Sequence, residues 1–208
     1  MNVLAIGAHF DDVELGCSGA LAKHVKNGDQ VYIFVATDSA YSNAEGKLIR
    51  SEEEALREGK AAAAIIGAER ICGSSKTLFL EYGEQVNVEI LRIIEEKHID
   101  LIYTHWLDDV HHDHYNLARA TLHVSKHVPR ILMYCSNWYP SPRLFTKNFF
   151  VDISDTWETK ERAIRAHESE MGRVGDTWVN YFKHEAENNG LINGVKYAEA
   201  FEVVKWLA

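Results

Sequence analysis

Unbroken apolar runs alternate with amphipathic ones through most of the chain. NVLAIGA (2–8) and QVYIFVAT (30–37) lack polar alternation, as expected of strands covered on both faces of a parallel sheet. Between them, ELGCSGALAKHVKNG (14–28) has apolar residues at helical spacing and stops at Gly28, a good C-terminal cap. RSEEEALREGKAAAAIIGA (50–68) predicts a second helix, with its acids near the N-terminus where the helix dipole favours them. Strands are expected at ERIC (69–72), TLFL (77–80), DLIYTH (100–105), RILMYC (130–135) and NFFVDI (148–153). Helices are expected at 85–98, at 114–128 and at 154–172, the last opened by Ser154 or Asp155. From Val174 onward, paired Asn and Gly suggest a less regular segment that closes over a crevice.

Strands and helices alternating over the first two thirds imply an α/β fold: a Rossmann-like, mostly parallel sheet with helices on both faces. In such sheets, sites form at the carboxyl ends of strands. Without repeats, low-complexity segments or linkers rich in Gly, Pro or Ser, residues 1–208 read as one domain.

Composition adds a chemical bias. The chain is 46% hydrophobic and 25% charged, ordinary globular usage, and its apolar runs are far shorter than the roughly 20 residues that span a bilayer. Three cysteines, Cys17, Cys72 and Cys135, cannot all pair and fit a reducing compartment; with no secretory signal pattern, the expected location is cytoplasmic. A net charge of −9 argues against nucleic acid as the main partner. Eleven histidines are many for this length, and four lie between His105 and His114, which points to metal or acid–base chemistry.

The charged clusters sit where sites form. AHFDD follows the first strand, and HHDH follows DLIYTH. His9 and Asp12, three apart at a strand end, can face one point and suit zinc or another divalent metal. A third ligand can come from His111 or His114, which leaves a coordination position open to water. Asp11 is then free to take a proton, and the other histidine of the pair can protonate a leaving group or hold an oxyanion. One histidine at a strand end is usually a satisfied polar residue, and one Asp-Asp usually a turn or cap. Both motifs together are uncommon by chance.

AHFDDVELGCSG resembles the AHPDD signature of the LmbE-like or PIG-L-like zinc-dependent deacetylases, and HHDH resembles their HPDH. AIRAHESE (163–170) and KYAEAFEV (196–203) are similar to weaker motifs of that family. The resemblance implies a Rossmann-like enzyme that removes N-acetyl groups from N-acetylglucosamine-type sugars, with zinc as cofactor and an amino-sugar derivative as substrate. By matching position it implies His9, Asp12 and His114 as metal ligands, Asp11 as general base, His111 as acid or oxyanion holder, and Asp113 as an orienting acid. It also implies a homo-oligomer. Phe10 and His112 replace the two family prolines, Ser18 a usual Gly and Glu170 a usual Gln; Phe10 would add an aromatic wall near the metal.

Arg50, or Arg57, stands where the family often has an arginine that could reach a substrate phosphate or carboxylate. A helix-face pair with Glu53 or Glu54 is the plainer expectation for Arg50. Trp106, Trp138 and Tyr139 could stack on a sugar, though core packing is the commoner use; Trp178 and Tyr181 are equally open. Of the histidines outside the clusters, only His167 invites a test. Rival readings are a zinc amidohydrolase for another small amide, such as a thiol conjugate or an acylated antibiotic intermediate, and an inactive metal-bound scaffold. A nucleotide-binding module is disfavoured because two acids at the turn would repel pyrophosphate.

Overall fold

The computed structural model describes residues 1–208. Its strands are β1 Asn2–Gly7, β2 Gln30–Thr37, β3 Tyr41–Ser42, β4 Leu48–Arg50, β5 Glu69–Ser75, β6 Leu101–His105, β7 Arg130–Tyr134, β8 Phe149–Asp152 and β9 Ala198–Trp206. Its helices are α1 Asp12–Lys26, α2 Glu52–Ile66, α3 Glu84–Lys97, α4 His112–His123, α5 Trp157–Arg165, α6 Glu168–Val174 and α7 Thr177–Asn193.

Seven strands form one sheet in the order β5-β2-β1-β6-β7-β9-β8, and β3 and β4 form a separate hairpin. Neighbours from β5 to β7 are parallel, while β9 runs antiparallel to both β7 and β8. The chain leaves β1 toward β2 and leaves β6 toward β7, in opposite directions along the sheet. The two charged motifs therefore flank the crevice where the strand order reverses, the place such sheets offer to ligands.

The lack of polar alternation in β1 has a direct cause. Val3 and Ala5 point into a cluster with Val13, Cys17 and Leu21 of α1, Ala55 and Ile66 of α2 and Ala163 of α5. Leu4 and Ile6 point the other way, against Ile90, Ile93 and Ile94 of α3 and Leu117 of α4. Each fully buried aliphatic chain of this kind contributes about 1.5–3 kcal/mol. At Gly16 an added Cβ would lie 2.1 Å from the Tyr134 ring, so glycine there lets α1 approach β7 closely. Ser51 and Glu54 close a capping box at the start of α2, and Gly67 ends it in the left-handed conformation. No helix is long and apolar enough to cross a membrane.

Several expectations are corrected. TLFL is a loop: Leu78 has φ 69°, and the Leu78 and Leu80 amides donate to the Asp113 carboxylate instead of a neighbouring strand. The expected helix over 154–172 opens after Thr156 and breaks at Ala166–His167 into α5 and α6. The segment after Val174 is largely regular: past the turn at Gly175, its paired Asn and Gly residues, 188–190 and 193–194, fall within or just beyond α7, whose Ala186 packs on Ile153, Trp157 and Tyr197, and β9 follows. Here tertiary packing overrides turn propensity.

Candidate metal centre and its cavity

β1 ends at Gly7, and the turn that follows presents His9, Asp11 and Asp12. Asp11 takes φ 141°, a conformation that costs a non-glycine residue energy and collects at functional sites. Beside it, β6 ends at His105, and α4 is capped by His111, whose Nδ1 accepts the Asp113 amide.

These ends bring three donors together. His9 Nδ1 lies 3.3 Å from Asp12 Oδ2, His114 Nε2 lies 3.2 Å from Asp12 Oδ1, and the two ring nitrogens are 3.3 Å apart. The edge of a tetrahedron with arms of about 2.0 Å is about 3.3 Å; the two ring nitrogens match it, and Asp12 meets His9 and His114 through different oxygens. The far nitrogens agree: His9 Nε2 donates to Asp113 Oδ2 at 2.9 Å and His114 Nδ1 to Asp109 Oδ2 at 2.9 Å. Each ring is thus fixed with its lone pair turned inward, the carboxylate–histidine arrangement that supports metal ligands. Once their inner nitrogens are deprotonated, the two rings aim lone pairs at one point beside Asp12, so this donor set fits a divalent metal.

The charges follow from the same contacts. Burial pulls the His9 imidazole down, but hydrogen bonds to Asp113 and Asp12 outweigh it and raise its pKa to about 10. Burial likewise opposes the proton on His114, while Asp12 and Asp109 lift it to about 9. Asp12 is held well below the usual carboxylate range despite its burial, by His114 and His105. Asp11 moves oppositely: burial and then the Asp12 charge push it up to about 7, with Arg50 and His167 opposing. His111 is lowered to about 4 by burial and by His114 and His9. With Nδ1 occupied by a backbone donor, neutral His111 carries its hydrogen on Nε2.

Behind Asp11 lies a buried polar network. Arg50 is 1% exposed and donates to Phe10 O (2.9 Å), Asp11 Oδ2 (3.3 Å) and Glu58 Oε2 (3.0 Å), with His167 Nδ1 at 3.0 Å. It therefore pairs with neither Glu53 nor Glu54, and its terminal nitrogens are spent on protein groups before any substrate arrives. The Ser169 amide and hydroxyl donate to Glu58, which ties the break between α5 and α6 to the same network.

A cavity of about 450 Å³ opens over the centre. His9, Asp11, Asp12, His111 and His114 line one end of its wall; Trp138, Tyr139 and Trp178 also face it. Trp106 does not: it packs against Ala118, Met133 and Phe145. Tyr181 supports Trp138 from behind, with ring centroids 4.7 Å apart. Phe10 forms no wall of this cavity; its ring packs between Gly59 and the Arg70 guanidinium. His112 bonds Asn116 on its own helix.

Pattern reading passed over several residues. Asp109 lies within the motif region but five residues from His114, a spacing without a simple motif. His105 is fully buried, stacks on His114 at 3.9 Å and accepts the Ala8 amide on Nε2. Ser136 donates to Asp12 Oδ1, and Asn137 to Asp109. The density of histidines around 105–114 was a signal for His105; for Ser136 and Asn137 there was none.

Comparison with known proteins bears on this arrangement. The family model described as GlcNAc-PI de-N-acetylase, PIG-L, matches residues 4–125. Diacetylchitobiose deacetylase of Thermococcus kodakarensis is 30% identical, covering 98% of this chain and 83% of that protein. Among solved structures, N,N'-diacetylchitobiose deacetylase of Pyrococcus horikoshii superposes with a TM-score of 0.81 at 20% identity, covering 98% of this chain and 84% of that one. The 4-carboxy-2-hydroxymuconate hydratase of Pseudomonas putida superposes with a TM-score of 0.82 at 16% identity, covering 100% and 97%. The fold thus accommodates more than one reaction, and function must be argued from the site.

Proposed function

From the premise that this chain belongs to the PIG-L (LmbE-like) deacetylase family, we propose that it hydrolyses the N-acetyl group of an N-acetylglucosamine-type sugar or conjugate, releasing acetate and a free amine. The observation that carries this reading is the convergence of His9 and His114, with inner nitrogens 3.3 Å apart and each within 3.3 Å of an Asp12 oxygen, beside an Asp11 carboxyl with a pKa of about 7. His9, Asp12 and His114 would hold zinc or another divalent metal. Such an ion, when bound, supplies Lewis acidity toward an amide carbonyl and lowers the pKa of water.

The protein's own groups supply the rest. Asp11 accepts the proton of the attacking water, a task suited to a carboxyl with a pKa of about 7. As the C–N bond breaks, the same proton passes to the departing nitrogen. His111, neutral and bearing its hydrogen on Nε2, donates to the oxyanion of the tetrahedral intermediate. Asp113 and Asp109 keep the lone pairs of His9 and His114 turned inward. Arg50 is a positioning residue that fixes Asp11 from behind.

The test is acetate release from a panel of N-acetylglucosamine conjugates, with the metal content of the same sample measured in parallel. Turnover that requires about one metal ion per chain and disappears in Asp11→Asn is the expected result. Metal retained with no acetate from any sugar would shift the reading to another amide.

A further inference from the structure

The cavity has a charge pattern that the deacetylase reading leaves unassigned. Two arginines line it, Arg50 and Arg173, and no lysine does. Both are already matched by acids of the protein. Arg50 is committed to Asp11 and Glu58 and is inaccessible. Arg173 directs Nε and Nη2 onto Glu170 Oε2, at 3.0 and 2.5 Å. Glu170 is 2% exposed, and its other oxygen accepts the Tyr41 hydroxyl at 2.7 Å. An anionic ligand would meet in Arg173 a guanidinium whose charge Glu170 already offsets, with Nε and Nη2 engaged and only Nη1 left to bind it.

The same cavity offers an apolar alternative. Trp138 and Tyr139 are 42% and 56% exposed there, and Trp178 is half-buried. Leu15 and Val174 line it as well. Trp138 rests on Tyr181, and Trp178 packs on the apolar cluster of Leu15, Val179 and Phe182, so both indoles are backed by packed side chains. Flat aromatic faces held in this way suit the C–H face of a sugar or another neutral ring, at little entropic cost.

Building on the deacetylase reading, we infer that the part of the substrate beyond the acetylated sugar is an uncharged ring seated on Trp138 and Trp178, and that conjugates carrying phosphate or carboxylate are discriminated against. Glu170 is the specificity-determining residue, because it neutralises the one exposed guanidinium in the cavity.

Binding to the metal-free protein separates this inference from catalysis and from direct contact of phosphate with a metal. Phenyl N-acetyl-β-glucosaminide and N-acetylglucosamine 1-phosphate are titrated calorimetrically. The phenyl glycoside is expected to bind about tenfold more tightly or better, the effect of one well-packed aromatic contact. Trp138→Ala with Trp178→Ala should erase that preference, and Glu170→Gln should raise affinity for the phosphate by releasing Arg173. Equal or tighter binding of the phosphate by the unaltered protein overturns the inference; so does binding of neither sugar, or a preference unchanged in the tryptophan variants. If the preference is present but the metal-loaded protein releases acetate from neither sugar, the deacetylase reading fails and the discrimination stands. Acetate released from both at equal kcat/KM leaves that reading intact and overturns this one.

Discussion

His9 Nδ1 and His114 Nε2 face each other across 3.3 Å, and each ring has already given its far nitrogen to a carboxylate, Asp113 for His9 and Asp109 for His114. Without a metal, protons occupy the inner nitrogens of both rings. With folded pKa values of about 10 and about 9, each ring carries protons on both nitrogens at neutral pH, the outer ones held by Asp113 and Asp109 and the inner ones drawn by Asp12. Zinc binding at neutral pH must expel both inner protons. Calorimetry of zinc binding near pH 7 in buffers of different ionisation enthalpy should therefore show proton release, and a buffer-independent enthalpy would contradict the arrangement. The metal-free protein also has a distinct pH dependence. Because both folded values exceed the unfolded histidine value of about 6.5, the stabilisation is complete below that pH and lost as pH rises toward 9 to 10. Metal loading should abolish this alkaline loss and raise Tm with the logarithm of free metal.

Asp11 carries a stability cost that its proposed task explains. Its pKa of about 7 exceeds the ordinary 3.8, so the ionised carboxylate is disfavoured by folding, and stability is lost as pH rises from about 4 to about 7. Asp11→Asn should reduce turnover by about 10²–10⁴-fold, leave metal content unchanged and raise Tm. The stability gain should vanish when both proteins are compared near pH 4. A variant that retained turnover would remove Asp11 from the mechanism.

Arg50 acts on that carboxyl from the protein side. Its guanidinium lowers the Asp11 pKa against the effects of burial and Asp12, and it also pairs with buried Glu58. Arg50→Ala leaves Glu58 without its cation and should destabilise the fold by about 3–5 kcal/mol. Arg50→Lys, the milder change, keeps one charge but loses the fork that reaches Phe10 O, Asp11, Glu58 and His167 together. It should move the acidic limb of the pH–rate profile upward, an outcome that a merely structural arginine would not produce.

Lys160 and Glu199 form a second buried pair, behind the first turns of α1. Lys160 Nζ donates to Glu14 O, Leu15 O and Glu199 Oε1, while Glu199 accepts the Gly19 and Ala20 amides. The pair thus satisfies backbone groups in the middle of α1, whose first turn carries Asp12. Lys160→Met should cost about 3–5 kcal/mol in urea unfolding, because it strands a buried carboxylate. Amide exchange in α1 should accelerate. A loss below about 1 kcal/mol would mean that the pair behaves like a surface ion pair.

Periodicity and motif carried much of this protein unaided. The apolar runs of β1, β2, β6 and β7 were legible because a parallel sheet covers both faces and removes polar alternation, as Val3 and Leu4 show by pointing into opposite clusters. The helices from α1 to α4 were legible from their apolar spacing, α1 also from Gly28 just past its end, although α4 stops at His123 and the expected helix to 128 continues only as a 3-10 turn over Ser125–His127. His9, Asp11, Asp12, His111, Asp113 and His114 stood out because histidines and acids at strand ends have no reason in packing. Their roles still rest on the proposed chemistry.

The tertiary structure decided what depends on contacts between distant segments. Whether TLFL paired as a strand or remained a loop turned on Asp113, more than thirty residues away, which takes the Leu78 and Leu80 amides. Arg50 could equally have faced solvent, substrate or core; its burial followed from Asp11, Glu58 and His167, drawn from three separate parts of the chain. Trp106 and Trp138 are indistinguishable as sequence, yet one lies in the core and the other lines the cavity. Local pattern encodes which face of an element is apolar, because that is set by the element's own period. It does not encode which neighbour satisfies a buried charge, because that free energy exists only once the fold has brought the partners together.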